Sequence, residues 1–236
     1  MRKDNMGYTY CISDIHNDYD SFVRMLKLIQ FSEKDKMYIV GDIFDRGEKP
    51  LELYYEILKY EKNIICLCGN HDAWVAEHLH YYVNGRYKGY YYNTIELLKK
   101  RITEVDMSNL ISWIYNLDVQ LTVNASGKQF LLAHAQTSLP DADADLHYHL
   151  MGAKDNRDYI DFLKNGIEGY VSIIGHTPVD AIREVLGEAS EKENTVWYNR
   201  KKNVICIDCA NGYRAEAFGK NRLGCIRLDD YQCFYV

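Results

Sequence analysis

Short apolar runs alternate with amphipathic helical patterns along the first third of the chain. Seven apolar runs predict strands, at residues 8–13, 37–41, 63–68, 129–133, 171–174, 204–209 and 224–228. A first helix is predicted after Asp18, where Phe22, Met25 and Leu26 repeat on one face. A second is predicted after Pro50, a residue favoured in the first helical turn. This βαβαβ order predicts an α/β fold with several parallel strands near the N-terminus.

The second half of the chain is poorer in helical patterns and richer in short strand-like runs. A second sheet packed against the first is therefore expected, which gives a central β-sandwich flanked by helices. One helical segment is expected at residues 156–164, and residues 141–149 are expected to form a solvated loop.

A mainly helical insertion is predicted at about residues 73–128. Its helices are expected around residues 75–83, 94–101 and 108–117. The insertion holds too few apolar positions for a core of its own, so residues 1–236 are expected to form one domain. It is rich in tyrosine, including Tyr81, Tyr82 and the tip at residues 90–92. Most of the 21 tyrosines are expected at the surface or the core edge, although some on the insertion would suit stacking on a nucleoside or a peptide ring.

Charge and composition exclude several classes of protein. The net charge of −6 provides no basic surface for nucleic acid. No window reaches the roughly 18 apolar residues of a membrane span, and no apolar leader follows the N-terminus, so a cytoplasmic protein without a membrane partner is expected. The seven cysteines lie in apolar runs, which favours reduced, buried thiols. A thiolate zinc site made by Cys66, Cys68, Cys206 and Cys209 is the weaker alternative.

Residues suited to metal binding follow five of the predicted strands. These candidate ligands are Asp14, His16, Asp42, Asn70, His134 and His176. The carboxyl ends of strands in an open sheet line one crevice, so these scattered side chains are expected to converge. A single histidine at a strand end is more often a structural residue, but five such strand ends in succession favour a metal site.

The ligand types narrow the choice of metal. Aspartate, asparagine and neutral histidine form a nitrogen and oxygen set that suits Mn, Fe or Zn better than Ca. Six ligands exceed the need of one catalytic ion, so two divalent ions are expected, with Mn²⁺ as the first choice. Two ions about 3.5–4 Å apart activate a water and clamp a phosphoryl group.

Five motifs together resemble the ordered signature of the calcineurin-like metallophosphoesterases. They are Ser13-Asp14-Ile15-His16-Asn17, Gly41-Asp42-Ile43-Phe44-Asp45-Arg46-Gly47, Gly69-Asn70-His71-Asp72, His134-Ala135 and Gly175-His176-Thr177-Pro178. Within that superfamily the chain is similar to the phosphoprotein phosphatases, and to their small bacterial and phage members in particular. The resemblance implies a four-layer α/β/β/α fold and a phosphohydrolase that works by direct attack of a metal-bridging hydroxide.

The resemblance also implies how the six candidate ligands divide between the two ions. Asp14 and His16 would hold the first ion, and Asp42 would bridge both. The remaining three candidates would complete the second site.

Three further residues are implied to act on the substrate. Arg46 would grip the phosphoryl oxygens with its planar set of donors. His71 would protonate the leaving oxygen as the general acid, and Asp45 would orient its ring. The alternatives are a salt bridge between Asp45 and Arg46 within the turn, and a helix-capping role for His71.

Departures from the family pattern leave the substrate open. Cys68 stands where protein phosphatases of this family carry a second phosphate-binding arginine, and Asp72 replaces their usual glutamate. Arg157 is a candidate for the missing clamp, with a solvated charge on a helix face as an equal alternative. The first expectation is a serine/threonine protein phosphatase, because of the motif at residues 41–47. The alternative is a dinucleoside tetraphosphatase or another small-molecule phosphate hydrolase, as relatives with Asp at position 72 commonly are. A non-catalytic module that binds phosphoproteins is the third.

Overall fold

The structure is a computed structural model that describes residues 7–87, 93–190, 193–213 and 220–236. These residues form ten strands, β1 (Thr9–Ile12), β2 (Lys36–Val40), β3 (Ile64–Leu67), β4 (Gln120–Ala125), β5 (Lys128–Ala133), β6 (Val171–Ile174), β7 (Trp197–Tyr198), β8 (Val204–Cys206), β9 (Gly224–Arg227) and β10 (Cys233–Tyr235). They also form eight helices, α1 (Tyr19–Leu28), α2 (Pro50–Lys59), α3 (Asn70–Val83), α4 (Asn93–Leu98), α5 (Glu104–Tyr115), α6 (Leu146–Met151), α7 (Asn156–Asn165) and α8 (Val179–Val185). The predicted tyrosine tip at residues 90–92 lies outside the described ranges.

The strands form two sheets of five. In the first sheet the order is β10-β9-β1-β2-β3, with β1, β2 and β3 parallel and β9 antiparallel to β1. In the second the order is β4-β5-β6-β8-β7, with β5, β6 and β8 parallel and the two outer strands antiparallel. Each sheet therefore contains a group of three parallel strands whose carboxyl ends lie at one edge of the sheet.

Apolar side chains from both sheets meet in one buried layer. Cys11, Val40 and Leu67 of the first sheet lie in the same cluster as Phe130 and Ile173 of the second. Helices α1 to α5 pack on the other face of the first sheet, and α7 and α8 pack on the other face of the second. The layers are thus helix, sheet, sheet and helix, and the predicted β-sandwich flanked by helices is confirmed.

The seven predicted strands are all present, whereas β4, β7 and β10 were not predicted. Each of these three lies at an outer edge of its sheet. Only Val123 and Ala125 of the six residues in β4 are buried, and β10 has no buried residue. An edge strand that buries so little carries no continuous apolar run, which is the signal that found the others.

The solvated loop expected at residues 141–149 is shorter than predicted, because α6 begins at Leu146. The Asp145 carboxylate accepts a hydrogen bond from the Tyr148 backbone N–H and so caps this helix. His149 is buried and its ring contacts the Gln136 carbonyl oxygen at 3.0 Å.

Helices of the predicted insertion share the core of the first sheet. Val75 and Leu79 of α3 and Leu110 of α5 lie in the same apolar cluster as Ile39 of β2. The range predicted for the insertion also contains β4. That residues 73–128 are an insertion into the domain stays a prediction. Among the described helices, none has both the length and the apolar character that a bilayer crossing requires.

Removing a side chain from the layer between the sheets should destabilise the protein. Leu132 of β5 is fully buried there, so Leu132→Ala should lower the free energy of unfolding by about 2–5 kcal/mol. Leu139→Ala is the matched control, because Leu139 is 48% exposed, and its effect should stay within about 0.5 kcal/mol. Urea denaturation measures both, and equal losses would contradict the packing described.

Candidate metal centre

The chain turns sharply where the central strands end, and these turns aim side chains into one crevice. Asp14 and His16 follow β1, Asp42 follows β2, and His176 follows β6. All four have left-handed backbone, with φ of 52°, 51°, 52° and 67°. Such a conformation is uncommon for residues other than glycine and often marks a functional site.

Carboxylates and imidazoles meet at the centre of this crevice. Ligand atoms of Asp14, Asp42 and His134 all lie within 4.8 Å of one another. The Asp42 Oδ1 atom is 3.3 Å from His134 Nε2, and Oδ2 is 3.7 Å from His16 Nε2. Asp14 Oδ1 is 3.9 Å from the same His16 nitrogen. These four side chains are buried and can hold a cation between them.

Asn70 extends the cluster toward a second group of ligands. Its Oδ1 atom lies 3.0 Å from His134 Nε2 and 2.9 Å from His176 Nδ1. The His176 backbone N–H donates to Asp14 Oδ2 at 3.2 Å, which links the two groups. The structure therefore brings all six candidate ligands together.

Backbone contacts of two histidine rings turn the Nε2 atom of each toward the cluster. His134 Nδ1 lies 3.0 Å from the Val40 carbonyl oxygen, and His16 Nδ1 lies 3.2 Å from that of Phe44. A carbonyl oxygen only accepts, so Nδ1 carries a proton in both rings and Nε2 is the nitrogen that faces the cluster. Nε2 of a neutral His16 offers its lone pair there, and Nε2 of His134 does so once it has lost its proton. His16 Nε2 is buried and has no hydrogen-bond partner among the described residues. A buried donor set of this chemistry with an unsatisfied nitrogen fits a divalent metal.

Electrostatics at the cluster favour an ionised Asp42. Burial alone would raise the pKa of Asp42, but the neighbouring His134 and His16 lower it well below its usual range. Burial opposes protonation of His134, yet Asp42 raises the pKa of that ring to about 10. Burial lowers the pKa of His16 and of His176 to about 3, so both rings are neutral and ready to coordinate.

Asp72 fixes the two loops that carry the central ligands. Its Oδ1 atom accepts from the backbone N–H groups of Ile43 and Phe44 at 2.9 and 3.0 Å. Its Oδ2 atom accepts from the Gly69 N–H at 2.9 Å. The fully buried Asp72 side chain thus ties the turn after β2 to the turn after β3.

A second constellation lies beside the metal cluster. His71 Nδ1 is 2.7 Å from Asp45 Oδ2, and Arg46 Nη2 is 3.2 Å from His71 Nε2. Although burial opposes it, the bond to His71 lowers the pKa of Asp45. The Asp45 carboxylate pairs with His71 rather than with Arg46, and the His71 ring bonds to side chains rather than capping α3. Neither structural alternative weighed from the sequence describes these contacts.

Arg157 does not join these residues in its observed contacts. Its side chain is 90% exposed, and its guanidinium contacts Asp155 at 3.3 Å. The position on an exposed face of α7 corresponds to the solvated-charge alternative considered from the sequence.

Tyr213 and Asp208 also lie at the site and were not predicted from the sequence. The Tyr213 ring lies 4.1 Å from the Arg46 guanidinium carbon, and its hydroxyl is 3.4 Å from Arg46 Nη2. Asp208 is fully buried, with one carboxylate oxygen unpartnered among the described residues, and burial and the charge of Asp14 raise its pKa. Asp208 follows β8 as the ligands follow their strands, but the strand predicted at residues 204–209 extended past it and hid that signal.

The cysteines take no part in the cluster. All seven are free thiols, and six of them are buried. The metal-type cluster found among the described residues contains no cysteine. The thiolate zinc alternative therefore has no support in the structure.

Open space adjoins the cluster on the side of Arg46. A cavity of about 260 Å³ is lined there by residues that include His16, Tyr19, Arg46 and Lys49. A larger cavity of about 940 Å³ lies elsewhere, against residues such as Lys128 of β5, and holds none of the candidate ligands. The chemistry of the smaller cavity, and not its volume, identifies the candidate site.

Comparison with known families gives a match over most of the chain. Residues 8–206 match the model of the family described as calcineurin-like phosphoesterase. A curated relative from Pasteurella multocida, named bis(5'-nucleosyl)-tetraphosphatase, symmetrical, is 32% identical over 136 residues. That match covers 57% of this chain and 46% of the relative, so it spans about half the length of the curated protein.

Solved structures share the fold at low sequence identity. One, provisionally described as a diadenosine tetraphosphatase, has a TM-score of 0.65 at 15% identity, over 99% of this chain and 94% of the other. A protein serine/threonine phosphatase from Saccharomyces cerevisiae has a TM-score of 0.59 at 15% identity, over 100% of this chain and 80% of the other. At these identities the likeness concerns the fold alone.

Binding of a divalent cation at this cluster should release a proton from His134. Since Asp42 raises the pKa of His134 to about 10, the ring is protonated at neutral pH in the metal-free protein, whereas a coordinating ring must be neutral. Below that pKa, protons compete with the metal ion for the His134 ring. Affinity for Mn²⁺ should therefore rise about tenfold per pH unit near neutrality. Calorimetric titration of chelator-treated protein, in buffers of different ionisation enthalpy, counts the released protons.

His134→Asn should weaken binding and remove the pH dependence above about pH 7, where Asp14, whose pKa burial raises to about 6, is already ionised. His147→Asn is the matched control, because His147 is exposed and lies outside the cluster. An affinity that does not change with pH would contradict a protonated His134.

Proposed function

The chain belongs to the calcineurin-like phosphoesterase family, and on that premise we propose that it is a metal-dependent phosphohydrolase acting on dinucleoside polyphosphates. The observation that carries the proposal is the guanidinium of Arg46, the one that lies at the site among the residues that the structure describes. Arg46 Nη1 is buried without a hydrogen-bond partner among the described residues, and such a donor calls for an acceptor from a ligand. Phosphoryl oxygens are acceptors that match the geometry of arginine.

The other arginine positions argue against a protein phosphatase. Cys68, at the place of the second arginine clamp, is a buried thiol that contacts the Gly69 carbonyl oxygen at 3.3 Å. Arg157 is exposed and contacts Asp155. Curated relatives named as symmetrical tetraphosphatases support a nucleotide substrate in preference to phosphoserine or phosphothreonine, the first expectation from the sequence.

The six ligands would hold two divalent cations that share Asp42, with Mn²⁺ as the first candidate. Asp14 and His16 would serve one ion, and Asn70 and the two remaining histidines the other. When bound, the cations would neutralise phosphoryl charge and lower the pKa of a water molecule toward neutrality.

Arg46 would bind the phosphoryl group, and His71 would act as the general acid. In the observed contact Arg46 Nη2 donates to His71 Nε2, so that nitrogen is unprotonated and Nδ1–H donates to Asp45. To act as a general acid, His71 must carry a proton on Nε2. The hydrogen bond from Arg46 to that nitrogen must therefore break first. A phosphoryl group that draws Arg46 away would leave Nε2 open to take up a proton, while the contact with Asp45 holds the ring in place.

A substrate panel tests the proposed function. The Mn²⁺-loaded protein should show its highest kcat/KM for diadenosine tetraphosphate, ahead of a phosphoserine peptide and para-nitrophenyl phosphate. A preference for the phosphopeptide would contradict the proposal in favour of a protein phosphatase. Failure to hydrolyse any of the three would point to the non-catalytic binding module.

Replacing the acid should reduce turnover without loss of metal. His71→Asn should lower kcat for β-glycerophosphate, whose alkoxide leaving group must be protonated, by about 10²–10⁴-fold, the usual contribution of a general acid. Para-nitrophenyl phosphate should lose less, since its leaving group needs little protonation. His80→Asn, on an exposed part of the same helix, should retain activity, and elemental analysis should find equal metal in all three proteins. Equal losses on both substrates would refute the assignment of His71 as the acid.

A further inference from the structure

One face of α3 carries a stripe of aromatic side chains that begins at the site. His71, Trp74, His78 and Tyr81 follow one another at intervals of three and four residues, the spacing that places side chains on one helix face. The opposite face holds Val75 and the other residues of α3 that are buried in the core. Trp74, His78 and Tyr81 together form the aromatic stripe.

Trp74 stands next to the proposed general acid. Its indole ring packs edge-on against the His71 imidazole, with 4.9 Å between the ring centroids. Trp74 is half-buried and does not belong to the apolar cluster that α3 helps to form. Trp113 of α5, by contrast, does pack against that cluster. Among the described residues, Trp74 thus places a large aromatic ring beside the reacting centre and outside the apolar core.

The stripe continues outward along the helix. The His78 ring lies 6.0 Å from that of Tyr81 and 6.3 Å from that of Tyr87, both in edge-on geometry. The Tyr81 hydroxyl donates to Glu77 at 2.8 Å, which fixes the ring at the surface. Tyr81 is 38% exposed, so the far end of the stripe faces solvent.

We propose that the aromatic stripe is the subsite for the nucleoside of the leaving group. The inference rests on the proposed function, because it takes its direction from His71. The acid faces the leaving oxygen, so the departing nucleotide extends past His71, with its phosphates nearest the Arg46 side and its nucleoside beyond them. Trp74 is the ring in contact with His71 on α3, and a base stacked there gains from a flat, partly desolvated surface.

Charge separates this subsite from the phosphate side. Arg46 lines the cavity next to His16, and its Nη1 atom is a donor without a partner among the described residues. Lys49 in the same cavity is paired with Asp20 at 2.6 Å, so Arg46 is the donor that a phosphate would meet there. Glu77 beside the stripe repels phosphate but tolerates a neutral base. The polyphosphate chain therefore lies toward Arg46, and the base lies on Trp74.

The kinetic test compares three variants on two ligands. Trp74→Ala should raise KM for diadenosine tetraphosphate about tenfold with little change in kcat, the range expected for loss of one stacked base. Inhibition by inorganic tripolyphosphate, which has no ring, should stay within about twofold. Trp74→Phe should recover most of the affinity. Tyr55→Ala, which removes a tyrosine 52% exposed on α2, is the control and should change neither ligand.

The outcomes separate the subsite from the proposed function. No hydrolysis of diadenosine tetraphosphate by the unaltered protein contradicts the function. Hydrolysis with an unchanged KM in Trp74→Ala contradicts the subsite alone. An equal loss for dinucleotide and tripolyphosphate, or a fall in kcat that Trp74→Phe does not rescue, would mean that Trp74 supports His71 and holds no base. Selective loss of phosphopeptide turnover would also overturn the proposal.

Discussion

A carboxylate that stays ionised in the protein interior, Asp42, is the charge around which both halves of the site are built. It accepts a hydrogen bond from the His71 backbone N–H at 2.9 Å and lies against the rings of His134 and His16. Position 69 must be glycine, because a Cβ atom there would clash with Asp42 Oδ1. A buried anion of this kind is costly unless positive charge compensates it. In the metal-free protein a protonated His134 supplies that charge, and a cation would replace the proton.

The fold meets this demand by placing strained turns at the ends of parallel strands. Among the described residues, left-handed backbone occurs at seven non-glycine positions of the site motifs, Asp14, His16, Asn17, Asp42, Asp45, Arg46 and His176. Such positions are each disfavoured by about 1–3 kcal/mol, so the surroundings must enforce them. Backbone bonds between the turns after β1 and β2 do so, with Asp14 N–H donating to Gly41 and His16 N–H to Asp42. Three amides bound to Asp72 hold the turn after β3 in the same framework. The hydrogen bonds between the loops thus hold the ligand residues in their strained backbone conformations.

The sequence predicts this site well because its signals are local. Each ligand follows an apolar run, and a parallel sheet brings the ends of such runs together, so convergence follows from topology. The edge strands β4, β7 and β10 escaped prediction because they bury little and lack that run. Tyr213 and Trp74 were not predicted for a different reason. The residues next to an aromatic side chain in the sequence do not indicate which charged group it will contact in the fold. The contact of Tyr213 with Arg46 joins residues 167 positions apart, and only the tertiary structure reveals it. The expectation for Arg157 rested on chain order between His134 and His176, which does not determine distance in space.

The pattern of charge around the site bears on the choice between substrates. A phosphoprotein presents one dianionic phosphoryl group, and a second arginine would add charge at that group; here Cys68 supplies none, and its thiol is buried. A dinucleoside polyphosphate instead has a charged centre with aromatic ends. The site has the corresponding layout, with Arg46 and the predicted cations at the centre and Trp74 immediately outside. Because the chain as a whole carries a charge of −6, long-range attraction gives little help to any polyanion. Recognition must then come from contacts at short range, and stacked rings add affinity that does not depend on the charge of the chain.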